Sequence, residues 1–264
     1  LDAWWQARMV LRPQRETLRF VSNLLWPDRE EMHKMDVDAS KMDQEWAERP
    51  DVVLEYCLRD SVLPLEILSQ IRAVQTKEAL AAVSGVYLDV AIAGTTSQWL
   101  DSLVIRLADR ENVAVPRTRQ GRRGEQIEGG YVHEVEAGAH PWIAVLDFKS
   151  MYPSIMIANN ICYTTRIDES ARPDENPEEE AHESPLGTRY LPAEFRRGLV
   201  PRLLEDLMDK RAVHKSAMIE AAERSDEINE IFHSRMQFAV KILMNSFYGV
   251  FASNFYRFTH PNLG

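Results

Sequence analysis

The sequence has 264 residues, of which 41 are acidic and 31 are basic, and its formal net charge is −10 at neutral pH. This length suits one large domain or two ordinary ones and can bury a sizeable core. No run of about 18 or more apolar residues occurs, which excludes a membrane-spanning helix. The acidic balance argues at first against a nucleic-acid partner, because phosphate binding requires lysine and arginine. The first residues show neither an initiator methionine nor a signal-peptide pattern, so we expect a segment of a longer chain.

Charge is distributed unevenly along the chain. Residues 169–183 hold seven carboxylates and one arginine, a like-charge block that predicts a solvated surface loop. Basic residues collect in two other places, at 117–123 and at 196–215. On charge alone, each of these two basic groups can be interpreted either as a solvated face or as a phosphate-binding surface. The net charge is therefore a poor guide to the partner.

Apolar periodicity predicts the first elements in chain order. Residues 51–83 and 95–111 carry apolar side chains at helical spacing, and Pro64 is expected to kink or restart the first of these helices. Residues 112–130 are rich in arginine and glycine, which indicates a loop. The apolar run 143–146 predicts a strand buried on both faces, after a first strand near Tyr131, Val132 and Val135.

Two long helical patterns follow, at roughly 199–222 and 227–248. The short polar turn between them predicts an antiparallel helical hairpin. Strands followed by such a hairpin indicate the α+β class. Cys57 and Cys162 lack metal-ligand spacing, so we expect two free thiols.

Residues 147–155, with the sequence DFKSMYPSI, carry the most information about chemistry. An aspartate directly after a strand can present its carboxylate to a cleft, and carboxylate oxygens suit Mg²⁺. The turn that follows exposes backbone N–H groups to which phosphate can bind, and Tyr152 can place its ring against a sugar. Any one of these residues fits a capped strand and a proline turn, whereas the nine together favour a metal and phosphate site.

A second informative stretch is KILMNSFYG at 241–249. Lys241, Asn245 and Tyr248 are spaced i, i+4 and i+7, so they share one face of a helix. A cation, an amide and an aromatic ring on one stripe can meet phosphate, sugar and base. The alternative is an ordinary amphipathic helix that ends at Gly249.

The preceding helix carries Arg211 and Lys215 one turn apart. A solvated basic edge explains this spacing by itself. The two helices of a hairpin can also converge, in which case these side chains and Lys241 form a cationic clamp that stabilises phosphoryl transfer. A weaker pattern is the Tyr-x-x-x-Asp spacing of Tyr56 and Asp60, which short sequences also show by chance.

These motifs resemble those of the B-family DNA polymerases. Residues 147–154 are similar to the first polymerase motif, DxxSLYPS, with Met151 in place of leucine. Residues 241–249 match KxxxNSxYG, and residues 160–165 resemble the delta-type and archaeal members. The resemblance implies a DNA-directed DNA polymerase that uses two Mg²⁺ ions. Its implied partners are primer–template DNA, dNTPs and, in the full-length enzyme, a sliding clamp.

The resemblance also implies roles for individual residues. Asp147 ligates both metal ions with help from the backbone of Phe148, Tyr152 excludes a 2′-hydroxyl, and Lys241 acts on the triphosphate during catalysis. The implied nucleotide-binding residues are Phe148, Ser150, Met151, Tyr152, Arg211, Lys215, Lys241, Asn245 and Tyr248.

The Tyr56 and Asp60 spacing resembles the YxxxD motif of the 3′–5′ proofreading exonuclease. The resemblance implies that Asp60 ligates a metal ion and that Tyr56 orients the attacking water. Residues 128–131 resemble the YxGG element between the exonuclease and polymerase sites, with Ile127 where that element has its tyrosine.

The implied fold is an α+β fragment with the end of an RNase H-like exonuclease domain, palm β-strands and a two-helix fingers hairpin. Its implied parts are 1–75 (end of the exonuclease domain), 76–135 (connecting helices and linker), 136–196 (palm with the acidic loop), 197–250 (fingers) and 251–264 (return to the palm). The family's remaining aspartate motifs do not occur in the sequence, so we expect neither primer extension nor 3′–5′ degradation from this chain alone. Two alternatives stay open, a split-gene subunit completed by a partner chain and a non-catalytic polymerase-like scaffold.

Overall fold

The computed structural model describes residues 1–117, 133–167, 181–185, 187–253 and 256–258. These residues are mostly helical, with one two-stranded antiparallel sheet. None of the helices in this described part is long and apolar enough to cross a membrane. The chain divides into two compact units, Leu1–Glu78 and Ala79–Gly264.

The first unit is built on one long helix. Its helices are α1 (Ala3–Leu11), α2 (Leu18–Leu25), α3 (Met42–Glu48) and α4 (Pro50–Gln70), with 3₁₀ turns at Glu30–Met32 and Ala39–Lys41. Helices α1, α2 and α3 all pack against α4. The buried core of this unit comprises Ala7, Val21, Trp26, Leu63, Ile67, Ile71 and Ala73. The apolar stripe of α4 therefore holds the unit together.

The helix predicted over 51–83 is two helices, because α4 ends at Gln70 and α5 runs over Ala73–Ser84. Pro64 lies inside α4 without ending it. The break comes instead at Arg72, which has a φ of 53°. This left-handed conformation cannot continue a right-handed helix.

The second unit contains the predicted helical hairpin. Its elements are α6 (Leu88–Ala93), α7 (Thr96–Arg110), α8 (Met151–Ala158), β1 (His182–Glu183), β2 (Arg189–Tyr190), α9 (Leu199–Glu223) and α10 (Glu227–Phe251). Helices α9 and α10 pack along each other, and both α7 and α8 pack against them. The buried side chains between these helices include Leu100, Val104, Val200, Leu204, Leu207, Val240, Leu243 and Phe247. The hairpin prediction is confirmed, and so is the helix predicted over 95–111.

The strand predicted at 143–146 is wrong, because this run has no regular secondary structure. Ile143 is 70% exposed and Leu146 is 93% exposed, so the run is not buried on either face. A strand satisfies its backbone only by pairing with a neighbour, and in the described part the only paired strands are β1 and β2. Val135 is likewise exposed and outside any strand.

Several sequence predictions lie outside the described residues. They concern the strand residues Tyr131 and Val132, the basic residues 118–123, the element at 127–131 and most of the acidic block, 169–180. Cys57 and Cys162 are both free, as predicted.

Candidate active site

A buried asparagine anchors the end of α8 to the start of α9. Asn160 is fully buried and has a φ of 52°, a conformation that asparagine tolerates better than most residues. Its Nδ2 donates to the backbone oxygens of Leu191 at 2.7 Å and Arg196 at 2.8 Å. Its Oδ1 accepts from the backbone N–H of Gly198 at 2.8 Å. Asn160 is not among the residues predicted from the sequence, although an asparagine just after a helix is a recognisable signal for a left-handed residue.

Gly198 makes this junction possible. A Cβ atom built at Gly198 would lie 2.8 Å from the Cβ of Cys162 and 3.0 Å from Pro201 Cδ. Real Cβ atoms do not come that close without a shift of their neighbours. The chain therefore needs glycine where α9 begins, and the position of α9 relative to α8 is set by close packing.

Helix α8 begins within the DFKSMYPSI motif. Ser150 is its N-cap, with a φ of 50°, and the backbone N–H of Ser154 donates to the Ser150 carbonyl at 2.9 Å. Met151 and Tyr152 are partly exposed, whereas Pro153 and Met156 are buried. The first N–H groups of a helix have no acceptor within that helix. This turn can therefore bind an anion such as phosphate.

The two sequence motifs meet through their tyrosines. The rings of Tyr152 on α8 and Tyr248 on α10 stack with their centroids 4.3 Å apart and their planes inclined by 12°. Stacked aromatic pairs of this kind are worth about 0.5–1.5 kcal/mol beyond their buried area. Residues that lie 96 positions apart in the sequence thus form one aromatic surface.

Helix α10 carries its polar residues on the side away from the core. Lys241 and Asn245 are exposed and Tyr248 is half-buried. The buried residues of the same segment are Ala239, Val240, Leu243, Met244 and Phe247. Because α10 is one continuous helix through this segment, the predicted cation, amide and aromatic ring do share a stripe.

Three cations of the hairpin differ from the paired arginines near them. Arg211 and Lys215 on α9 and Lys241 on α10 have no ion-pair partner within the described residues. The Nε atom of Arg211 is buried and lacks a hydrogen-bond partner there. Neighbouring arginines are paired, in Arg197–Glu205, Arg202–Glu111 and Arg224–Glu220. The predicted clamp residues are therefore, like Lys210, hairpin cations that no acidic residue of the described chain pairs with.

Asp147 and Phe148 lie in the irregular segment that precedes α8. Both residues are exposed, with Phe148 78% exposed. Within the described residues, no group of three or more carboxylate, histidine or cysteine side chains could hold a metal ion. Asp147 thus lies four positions before α8 in the chain, and the described residues do not surround it with a cluster of further ligands.

In the first unit, the predicted pair Tyr56 and Asp60 lies on α4, and Lys34, from the irregular segment before α3, contacts both. Lys34 Nζ contacts Asp60 Oδ2 at 2.9 Å and lies 5.1 Å from the centre of the Tyr56 ring. The hydrogen bond to Asp60 raises the pKa of Lys34. Asp60 Oδ1 is buried and lacks a hydrogen-bond partner among the described residues. Lys34 precedes Asp60 by 26 positions, and no local pattern connects the two.

The sequence matches the family model of DNA polymerase family B over residues 86–258, which is more than half of the chain. The chain belongs to DNA polymerase family B. This match covers α6 to α10 and both motifs whose tyrosines stack.

Curated relatives extend the family B match. The chain is 34% identical over 197 residues to the DNA polymerase delta catalytic subunit of Glycine max, covering 74% of this chain and 18% of the relative. It is 32% identical over 219 residues to the subunit of the same name from Caenorhabditis elegans, covering 82% of this chain and 19% of the relative. The family B chain described here therefore spans less than a fifth of the length of these relatives.

A solved structure supports the family B fold. The family B DNA polymerase from the hyperthermophilic archaeon Pyrobaculum calidifontis superposes with a TM-score of 0.74 at 23% sequence identity. The superposition covers 95% of this chain and 32% of that one. The mostly helical arrangement is thus found within a larger polymerase of the same family.

Proposed function

We propose that this chain forms part of a DNA-directed DNA polymerase, in which a primer 3′-hydroxyl attacks the α-phosphate of a dNTP. The observation that carries the proposal is the stack of Tyr152 on Tyr248, 4.3 Å between centroids. The stack brings together the two motifs to which the resemblance assigns nucleotide binding. Relatives named as DNA polymerase delta catalytic subunits support the same function.

The cations of the hairpin suit the triphosphate. A dNTP carries several negative charges, and preorganised cations stabilise phosphoryl transfer because they need not rearrange as charge shifts to the leaving group. Arg211, Lys215 and Lys241 are not neutralised by any described acidic residue. The first turn of α8, from Ser150 to Tyr152, adds backbone N–H groups for the same phosphates.

The exposed Asp147 fits part of a Mg²⁺ site. Mg²⁺ keeps several waters and binds through one or two carboxylates together with substrate phosphates, so the Asp147 carboxylate and the Phe148 carbonyl would hold it here. When bound, Mg²⁺ would supply Lewis-acid activation of the 3′-hydroxyl and charge stabilisation for the leaving pyrophosphate. Asp147 is one carboxylate, and the described residues add no cluster of further ligands. We therefore infer that the rest of the ligand set lies on other residues of the full polymerase.

The tyrosine stack suits the sugar and base of the nucleotide. Tyr152 is 39% exposed, so an edge of its ring remains open beside the first turn of α8. A ring fixed there would collide with a 2′-hydroxyl and so favour dNTPs over ribonucleotides. Asn245 and Tyr248 continue this surface along α10 toward the position of the nascent base pair.

The same proposal assigns the parts of the chain. Residues 136–196 would belong to the palm and residues 197–250 to the fingers. Residues 1–75 would be the end of an exonuclease domain, which residues 76–135 connect to the palm. Residues 251–264 would return from the fingers to the palm. The exposed apolar run 143–146 supports the palm assignment, because strands of other parts of the polymerase would cover it and satisfy its backbone.

A second candidate function is 3′–5′ proofreading, which one observation in the first unit favours. Tyr56, Asp60 and Lys34 form a compact cluster with Asp60 Oδ1 buried and unpartnered among the described residues. A metal ion bound to Asp60 would use this oxygen, while Lys34 holds the other one. Tyr56 would then orient the attacking water.

Nucleotide binding by the purified chain tests the primary proposal. A fluorescent dNTP analogue should bind to the 264-residue chain, and Lys241→Ala or Arg211→Ala should each weaken that binding roughly 10- to 100-fold, as expected for the loss of a charged hydrogen-bond partner. Arg224→Ala is the matched control, because Arg224 lies on the same hairpin but is paired with Glu220. Equal losses in all three variants would refute the clamp.

Primer extension tests how much of the site this chain carries. We expect the purified chain to show no Mg²⁺-dependent extension, and measurable extension would refute the assignment of the missing ligands to other residues. Activity restored by a separately made polypeptide with the remaining motifs would favour the split-subunit alternative. Full-length protein that binds dNTPs but does not extend a primer would favour the scaffold.

A further inference from the structure

The helical hairpin contains a histidine pair outside all the sequence motifs. His214 lies on α9 and His233 on α10, and their Nδ1 atoms are 2.9 Å apart, a hydrogen-bond distance. Both side chains are half-buried. The ring of Phe232 meets both imidazoles edge-on, at 6.3 Å from His214 and 5.0 Å from His233. The pair therefore links the two helices directly, beneath an aromatic cover.

Whether the two imidazoles can form a hydrogen bond depends on how many protons the pair carries. One Nδ1 must carry a hydrogen and the other must offer its lone pair, which holds when the pair is neutral and when it carries one extra proton. With a proton on both imidazoles no acceptor is left, and two positive charges face each other at close range. The hydrogen bond that joins the helices then becomes a repulsive contact.

The surroundings of the pair favour the neutral form. Burial and the neighbouring His233 both lower the pKa of His214. The charged residues one helical turn away are Lys210 and Arg211 on α9 and Glu230 on α10. The two cations disfavour a doubly protonated pair and the single carboxylate favours it, so the net positive charge of these neighbours adds to the cost.

We propose that the His214–His233 contact is a proton-sensitive link within the hairpin, closed at neutral pH and opened when both imidazoles are protonated. A histidine whose pKa is lower in the folded chain than in the unfolded chain contributes stability above the ordinary pKa of about 6.5. That contribution is lost as the pH falls below this value, because the unfolded chain then binds more protons.

The link has a consequence for the neighbouring cations. Arg211 lies one turn from His214 on the same helix, so separation of the helices at the pair changes the spacing between the cations of α9 and those of α10. Mild acid should thus loosen the hairpin near Arg211 and Lys215. The His214–His233 contact lies within the hairpin, so its response to protons does not depend on nucleotide binding.

Titration of the imidazole protons by NMR tests the proposal in the wild-type chain. We expect His214 to titrate below about 6.5, and we expect its pKa to rise in the His233→Gln variant because one of the two lowering influences is removed. A wild-type His214 that titrates at or above the ordinary value would overturn the proposal, as would a pKa that does not respond to His233→Gln.

Thermal unfolding supplies a second measurement. Between pH 7.5 and 5.5 the melting temperature of the wild type should fall more steeply than that of the His214→Gln/His233→Gln double variant. His140→Gln is the control, because His140 is exposed and its one hydrogen bond among the described residues is to the backbone oxygen of Glu136. Parallel pH profiles for the wild type and the double variant would refute the link, and a profile altered by His140→Gln would show that the effect is not specific to the pair.

Discussion

The two halves of the candidate polymerase site differ in how completely this chain builds them. The helical half, formed by α8, α9 and α10, has a buried core, a tyrosine stack and the Asn160 junction. The half that carries Asp147 is an exposed segment, with Ile143 70% and Leu146 93% accessible to solvent. The helical half is thus packed and hydrogen-bonded within the described chain, whereas the segment that carries Asp147 is not.

The difference follows from where each half finds its hydrogen bonds. A helix satisfies its backbone through residues four positions apart, so α9 and α10 need only each other and their neighbours to bury their apolar stripes. A strand must find a partner elsewhere. The residues proposed to hold phosphate can therefore be preorganised here, whereas the carboxylate proposed to bind metal follows a segment that has no strand partner in the described part of the chain.

Hydrogen exchange gives the largest contrast between the two halves. Amides of the buried part of α10, residues 239–247, should exchange on the order of a thousand-fold or more slowly than amides of residues 143–148. The amides of α10 are exposed only when the hairpin opens, whereas residues 143–148 form no strand hydrogen bonds. Exchange followed by mass spectrometry on peptides from the two segments measures this ratio. Equal protection would show that the apolar run pairs with a partner in solution and would remove the contrast.

Asn160→Ala should disrupt the helical half most strongly. The variant leaves the carbonyls of Leu191 and Arg196 and the N–H of Gly198 without their buried partner, and alanine is less favourable than asparagine at a positive φ. We expect a loss of about 3–5 kcal/mol in the free energy of unfolding, measured by chemical denaturation. Asn159→Ala is the control, since Asn159 is exposed. A loss under about 1 kcal/mol at Asn160 would contradict its role as an anchor.

Local patterns predicted most of the helical half from the sequence. The hairpin and the stripe of Lys241, Asn245 and Tyr248 follow from spacings of three and four residues, which periodicity reports directly. Contacts between distant residues were not predicted. Examples are Lys34 with Asp60, Asn160 with Gly198 and His214 with His233, each of which depends on how separate elements pack.

The predicted strand at 143–146 failed for the same reason. Its apolar run is what a buried strand requires, but burial also needs neighbouring strands, and β1 and β2 are the only paired strands of the described residues. Periodicity reports the preference of a segment and not the presence of its partner. The sequence therefore indicated what the segment is suited for rather than its state in this chain.

A similar contrast exists between lysines that have an ion-pair partner and lysines that have none among the described residues. The expected change in the free energy of unfolding is smaller than for Asn160→Ala. Lys34 is paired with Asp60, and each side chain is only about a quarter exposed, at 25% and 26%. Lys34→Met should cost about 1–3 kcal/mol, because it leaves a largely buried carboxylate without its partner. Lys241→Ala should change stability by no more than about 0.5 kcal/mol, as expected for an exposed group without a partner.

Chemical denaturation of both variants checks this pair of expectations. Lys41→Met is the control for Lys34→Met, because Lys41 is exposed in the same unit. A Lys241 variant as destabilised as the Lys34 variant would contradict the distinction between paired and available cations.

Removal of the tyrosine stack should have a smaller effect than the loss of Asn160 or Lys34, and it tests how far the helical half extends. Tyr248→Ala removes the ring that lies 4.3 Å from Tyr152, at an expected cost of about 1–2 kcal/mol, whereas Tyr248→Phe keeps the stack and should change stability little. Hydrogen exchange should accelerate in α8 of the alanine variant and stay unchanged at 143–148, since that segment has no ladder to lose. If exchange at 143–148 also accelerates, then the stack supports the backbone around Asp147. The two halves would in that case be coupled within this chain, and the boundary between them would lie before Asp147 and not at the start of α8.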